Sequence, residues 1–326
     1  MKFSHNSPTI LALSGGIGGA KLALGLTHVM PSEKLLIVGN IGDDFEHFGL
    51  HISPDLDTLM YTLSRTADTE KGWGLANESW AFMKSLETLG GETWFQLGDK
   101  DLATHLVRTH RLREGETLTE ITVDFCRRFG IKSRIVPASN DAVRTIVITP
   151  GGELPFQHYF VQKHCQPIVT GFRFQGADEA EPNPEFMELL MNPALKAVVI
   201  CPSNPFLSID PILAIRGVRE ALRDSSAPVI AVSPIIVGDA VKGPTAKIFH
   251  QLGYPVSAVS VANHYRDFLD GFILDIQDTA LVPEIRKMGI SVELANTLMT
   301  DLTVKTELAR SVLDFSGSCV KRKMSI

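Results

Sequence analysis

Residues Ile10–Leu26, ILALSGGIGGAKLALGL, decide how the rest of the chain is read. An apolar run gives way to four glycines in five residues, then to the spacing of an apolar helix face. Strand, glycine loop and helix in that order suit a phosphate cradle. Gly15, Gly16, Gly18 and Gly19 let backbone N–H groups approach an anion, and the next helix turns its positive end toward it. The dinucleotide fingerprint GxGxxG does not fit, because no third glycine stands at the required offset. A P-loop does not fit either, since Lys21 is followed by Leu22 instead of Ser or Thr. A tight strand-to-helix turn without a ligand would read the same way, so the loop alone names no function.

Around this stretch, short β-branched runs alternate with helical ones. TILAL, KLLIVGN, LKAVVIC, APVIAVS, PVSAVSVA and GFILD are apolar nearly throughout, as expected of strands covered on both faces. Helical stretches run from Ala20 to Met30, Pro211 to Arg223 and Thr245 to Leu252. The pattern predicts an α/β fold, a doubly wound Rossmann-like parallel sheet. Between about Asp55 and Arg128 the sequence is mostly helical, and RTIVIT, PFQHYFVQ and GFRFQG follow as a small antiparallel set. Residues 1–64 and 194–326 are thus expected to form the core, and 65–193 a mixed helical and antiparallel insertion or lid. GADEAEPNPE (Gly176–Glu185) is the candidate mobile connection.

The chain has 326 residues, 44% of them hydrophobic, enough to bury a sizeable core. Its net charge of −6 and the absence of any basic cluster beyond the KRK tail argue against a nucleic-acid or anionic-membrane surface. Cys126, Cys165, Cys201 and Cys319 lie far apart with no CxxC pair, so reduced thiols in a cytoplasmic protein are expected. The first apolar stretch is too short for a signal peptide, and no later run is long enough to span a bilayer.

After the second strand comes IVGNIGDDFEHFGLHISPDLDTLMYTL, with Asp43, Asp44, Asp55 and Asp57 in two tight pairs. Ligands of open parallel sheets bind at the carboxyl ends of the strands, so this segment should face the glycine loop. Carboxylates beside a phosphate site repel the substrate unless a cation sits between them, and Mg²⁺ suits that place. Taken singly, Asp55 also suits a helix start beyond Pro54, and Asp43 an ordinary turn.

The segments SGGIGGAKL, GNIGDDFEHFGLHISPDLDTLMYTL, GWGLANESW, LGDKDLATHLVRT, CPSNPFLSIDPIL, AVSPIIVGDAVKGPTAK and ANTLMTD resemble the 2-phospho-L-lactate transferase family. That family includes the phosphoenolpyruvate transferases of coenzyme F-420 biosynthesis. The resemblance runs from about Thr9 to Phe315 in matching order, with Ile17 where the family commonly has threonine. It implies transfer of a phospho-acid from a guanosine diphospho-linked donor to the terminal ribityl hydroxyl of the deazaflavin Fo, with release of GMP. It also implies a homodimer. Asp57 in SPDLDT would hold the acceptor end of Fo, and Asp43, Asp44 and Asp55 remain as metal-ligand candidates. Gln96 matches a position near Fo that is often basic in the family.

His105 and Arg108 stand at i and i+3 of a helix, as site residues or as a surface pair. The guanosine half is expected at later strand ends, with Ser203, Asn204 and Ser208 in one polar loop. Lys242 precedes what reads as a helix start at Gly243-Pro244. Tyr265 offers an aromatic face or a packing residue. The glycine loop and sheet also resemble the gluconeogenesis-factor family, regulatory proteins that bind nucleotide sugars. That family carries a Gly/Ser-rich DDGGSSG-type stretch where this chain has GDDFEHFGLHISPDLDT.

Overall fold

The computed structural model describes residues 9–240, 243–319 and 321. The apolar run forms strand β1 (Ile10–Ser14), and the glycines open helix α1 (Gly16–Val29). Strand β2 (Leu35–Gly39) follows, then a short hairpin of β3 (Phe45–His47) and β4 (Leu50–Ile52). Four helices come next: α2 (Pro54–Leu63), α3 (Ala81–Thr88), α4 (Asp99–Arg113) and α5 (Leu118–Arg128). Strand β5 (Arg134–Pro137) precedes the antiparallel strands β6 (Arg144–Thr149), β7 (Gly152–Pro155) and β8 (Gly171–Gln175). Helix α6 (Pro184–Leu190), strand β9 (Ala197–Ile200), α7 (Asp210–Leu213) and α8 (Val218–Asp224) return the chain to the core. The remainder is β10 (Val229–Val232), a small hairpin of β11 (Ile235–Ile236) and β12 (Asp239–Ala240), α9 (Thr245–Gln251) and α10 (Ala258–His264). Then come β13 (Gly271–Asp275), α11 (Val282–Lys287), β14 (Ser291–Ala295) and α12 (Leu302–Ser318).

Seven strands make one sheet in the order β14-β13-β10-β9-β1-β2-β5, parallel at every pairing. The central strands are buried along their whole length, which explains why their sequences run apolar without alternation. Helix α1 packs between α2 and α12 over this sheet. The chain steps from β1 to β2 in one direction and later returns to β9 on the other side of β1, which makes the β1/β9 border the switch point. No helix of the described residues is long and apolar enough to cross a membrane.

Four segments depart from the reading of the sequence. PVSAVSVA is helix α10, not a strand. The Ser257 hydroxyl caps it at Val259 N, and Ala258, Val261 and Ala262 are buried at helical spacing. PFQHYFVQ is helical around His158–Gln162; the antiparallel strand beside RTIVIT is GELP, so the three-stranded order is β7-β6-β8. The helix expected over Pro211–Arg223 is broken by Gly217, whose φ of 80° suits only glycine without strain. GADEAEPNPE is fastened to the sheet edge: Asn183 N donates to Ala138 O, its side chain caps Glu185 N, and Ser139 bridges to Pro182. Strand β5 lies inside 65–193 yet pairs with β2, so that segment supplies an edge strand of the large sheet as well as the small antiparallel one.

Candidate functional site

At the switch point the loop after β1 meets the loop after β9. A Cβ on Gly18 would lie 2.2 Å from the Pro202 carbonyl oxygen, and one on Gly19 would lie 2.6 Å from the Ser203 hydroxyl. A Cβ on Gly15 would meet Ser208 Cβ at 2.6 Å and Asp55 Oδ2 at 2.7 Å. The glycines are therefore needed for close approach of two strand-end loops and an acidic side chain. Of the four N–H groups at the start of α1 that lack helical partners, Gly15 N donates to Ser203 Oγ (3.3 Å) and Gly16 N to Asp55 Oδ1 (2.7 Å). A carboxylate thus already stands at the positive end of the helix, and the amides of Ile17 and Gly18 are the donors left for an incoming anion.

Asp55 and Asp43 are brought together by a residue the sequence did not single out. Asn40, at the end of β2, donates its one amide nitrogen to Asp55 Oδ2 (2.9 Å), Asp43 Oδ1 (3.1 Å) and Leu207 O (3.2 Å). Burial, and then the charges of Asp55 and Asp44, push the Asp43 carboxyl well above the usual range, with Asn40 pulling it back. Burial likewise raises Asp55 to about 6, against the pull of Asn40 and Gly16. Two carboxylates that share a donor and resist ionisation are a donor set that a hard cation would satisfy. Asp44 takes another course: its Oδ2 accepts from Ser53 Oγ (2.9 Å) and meets His51 Nε2 (3.1 Å), and it does not line the cavity described below. The three metal-ligand candidates hence do not converge.

Asp57 sits two residues further into α2. Arg108 Nη1 donates to its Oδ2 at 3.1 Å and Nη2 to its Oδ1 at shorter range, and His105 Nδ1 lies 3.7 Å from Oδ2. Burial raises the Asp57 carboxyl, and Arg108 and His105 pull against that rise. His105 and Arg108 are each 1% exposed, which excludes the surface-pair reading. Among the described residues, Asp57, Asp101 and His105 form the group of three whose ligand atoms lie within 4.8 Å of one another.

These groups open on one cavity of about 590 Å³ at the carboxyl ends of the strands. Gly15, Gly16, Gly18, Asp43, Asp55, Asp57, Gln96, Ser203, Asn204 and Ser208 all line it. Asn204 does so as a cap, accepting from Phe206 N and Leu207 N and donating to Thr245 Oγ1. Gln96 is exposed and donates to Thr93 O at 2.7 Å. Trp73, Phe95, Phe156 and Phe160, from the 65–193 segment, add aromatic walls, and Lys71 lies 4.3 Å over Trp80 beside them. Lys21 lines the cavity too and donates to Met299 O at 3.0 Å, so a lysine that fits no P-loop nonetheless faces the site. Tyr265 does not: it is 1% exposed and packed against Phe268 and His264. Lys242 lies outside the described residues.

Comparison with known proteins agrees over nearly the whole length. The sequence profile of the family described as 2-phospho-L-lactate transferase CofD matches residues 10–311. A phosphoenolpyruvate transferase from Nocardia farcinica is 38% identical, with 95% of this chain and 95% of that one aligned. A 2-phospho-L-lactate transferase from Methanosarcina acetivorans is 40% identical over 93% of this chain and 98% of its own. A crystal structure of a UPF0052 family protein from Bacillus halodurans superposes with a TM-score of 0.62, covering 94% of this chain and 99% of that one. At 12% identity this likeness is one of fold. With a profile spanning residues 10–311 and relatives near 40% identity over more than nine-tenths of each chain, the chain belongs to the 2-phospho-L-lactate transferase CofD family.

Proposed function

We propose that this protein is a phospho-acid transferase of coenzyme F-420 biosynthesis. It moves a phospholactyl, phosphoenolpyruvyl or phosphoglyceryl group from a guanosine diphospho-linked donor to the ribityl hydroxyl of Fo. The observation that carries this is one cavity lined both by the strand-end loops of the sheet and by aromatic side chains of the 65–193 segment. The loops suit a diphosphate and the rings suit a planar tricycle. The hydroxyl oxygen bonds to the acid-bearing phosphorus, the phosphorus–oxygen bond to GMP breaks, and its electron pair leaves with GMP. The hydroxyl proton passes to the Asp57 carboxylate and on to water. Open amides of Ile17 and Gly18, with the hydroxyls of Ser203 and Ser208, hold the donor phosphates. Gln96 lies along the acceptor.

The resident cation of this reading is Mg²⁺, held by Asp43 and Asp55, whose shared Asn40 donor and raised carboxyls fit such an ion. When bound, it neutralises charge on the diphosphate. A cytoplasmic homodimer accompanies this reading. The test is mass spectrometry of the products after incubating purified protein with Fo, Mg²⁺ and each donor in turn. Fo enlarged by one phospho-acid, with an equal amount of GMP, is expected from at least one donor. Unchanged Fo with all three overturns the proposal.

A further inference from the structure

From Asp57 a chain of polar groups runs along the cavity wall and joins two helices. Asp57 and Tyr61 are one turn apart on α2. Asp101, His105 and Arg108 follow at i, i+4 and i+7 on α4, a single stripe facing α2. Tyr61 Oη donates to Asp101 Oδ1 (2.6 Å), Asp101 Oδ2 lies 3.3 Å from His105 Nε2, and His105 Nδ1 lies 3.4 Å from Arg108 Nη1. Arg108 closes the chain with both terminal nitrogens on the two oxygens of Asp57. Its guanidinium carbon is 5.9 Å from the centre of the Phe125 ring. Asp57, Tyr61, Asp101 and His105 line the cavity, whereas Arg108 does not.

We propose that Arg108 is a positioning residue of the transfer reaction: from behind, its fork fixes the plane of the Asp57 carboxylate at the cavity wall, with His105, Asp101 and Tyr61 bracing α4 against α2 beside it. This rests on the reading of Asp57 as the group that meets the acceptor hydroxyl. A carboxylate oxygen has two lone-pair directions, and a guanidinium bound end-on through its two terminal nitrogens takes one from each oxygen. The outward directions then remain for the cavity. The Asp57, Asp101 and His105 cluster has the spacing of a metal site, but at Asp57 the cation is already present as a planar fork. A fork holds an orientation where a spherical ion or an ammonium would leave it free. Asp57 belongs to the helix that follows β4, while Arg108 belongs to α4 in the 65–193 segment, so the acceptor carboxylate is oriented by a different part of the chain from the one that bears it.

The test is Arg108→Lys. It keeps a positive charge beside buried Asp57, so no lone charge is left in the interior, but it loses the fork. Turnover should fall about ten- to hundredfold, the usual penalty for a misplaced reacting group, while KM for the guanosine-linked donor stays unchanged. In the Asp57→Asn background the same substitution should cost almost nothing, because no acceptor carboxylate remains to be oriented. Equal losses in both backgrounds, or wild-type turnover in Arg108→Lys, overturn the proposal. If the lysine variant does not fold, Asp57→Asn/Arg108→Gln removes both charges together and is compared with Asp57→Asn alone. Equal turnover supports positioning through Asp57, and a further tenfold loss overturns it. A wild-type protein that transfers no acid to Fo defeats the functional reading itself, before any variant is compared, and this proposal with it.

Discussion

Asp55→Asn isolates the electrostatic strain of the site from its chemistry. Asp55 is 5% exposed, with Gly16 N–H on one oxygen and Asn40 on the other. Burial carries its carboxyl from an ordinary 3.8 to about 6, and the neighbouring charge of Asp44 adds to the rise. A native state that holds this proton more tightly than the unfolded chain is penalised as pH rises. Below 3.8 both states are protonated and the penalty is absent; above about 6 it is complete. The interval, at 1.36 kcal/mol per pH unit, amounts to about 3 kcal/mol. Asparagine does not titrate, so the unfolding free energy of wild type relative to Asp55→Asn should fall by about 3 kcal/mol between roughly pH 4 and pH 7.5. The amide also faces the Asn40 donor, a fixed cost that offsets the curve without tilting it. Easing the repulsion on Asp43 tilts it further in the same sense. Urea unfolding of both proteins in EDTA, in half-unit pH steps, measures the difference. A flat difference, or wild type gaining on the variant as pH rises, refutes the reasoning.

Other perturbations separate binding, chemistry and scaffold. Asp57→Asn should lower the transfer rate by roughly 10²–10⁴ with little change in donor affinity; steady-state kinetics showing wild-type turnover would remove Asp57 from the mechanism. Excess EDTA should nearly abolish transfer, and Mg²⁺ should raise the Tm of wild type at neutral pH but not that of Asp55→Asn. Full turnover in EDTA, or equal Tm shifts in the two proteins, would sink the metal assignment. Gly18→Ala places a Cβ 2.2 Å from the Pro202 carbonyl oxygen, a rigid backbone neighbour. It should cost about 1–3 kcal/mol of stability, read as a lowered Tm together with weakened donor binding; an unchanged Tm would show that the two loops do not meet so closely.

The parallel sheet was legible because strands covered on both faces must be apolar throughout, as ILALS, LLIVG, AVVI and VIAV are. The same rule misled at PVSAVSVA, where small apolar residues at positions 258, 261 and 262 satisfy a helix as readily as a strand; the Ser257 cap decides between them. Edge strands β5 and β14 carry arginine at a half-buried position and serine and glutamate at exposed ones, so their apolar signal is weak. Within the site, the acidic pairs and the glycines stood out by type and spacing. Asn40, Lys21 and Asp101 did not, because their roles depend on neighbours 15, 278 and 40 positions away. Asp101 had a faint signal in its i, i+4 relation to His105.

Asp44 shows how two neighbours of one residue type come to face different partners. It shares the GDD run with Asp43, yet of the two only Asp43 lines the cavity. Asp43 turns toward Asn40 and Asp55, while Asp44 turns back to Ser53 and His51 and ties the β3–β4 hairpin to the start of α2. Its charge still acts on the site from behind, raising Asp43 and Asp55. A carboxylate fixed at that place favours protonation of the front pair. Asp44 therefore works on the site through its field, and its hydrogen bonds to Ser53 and His51 are what keep that field in place.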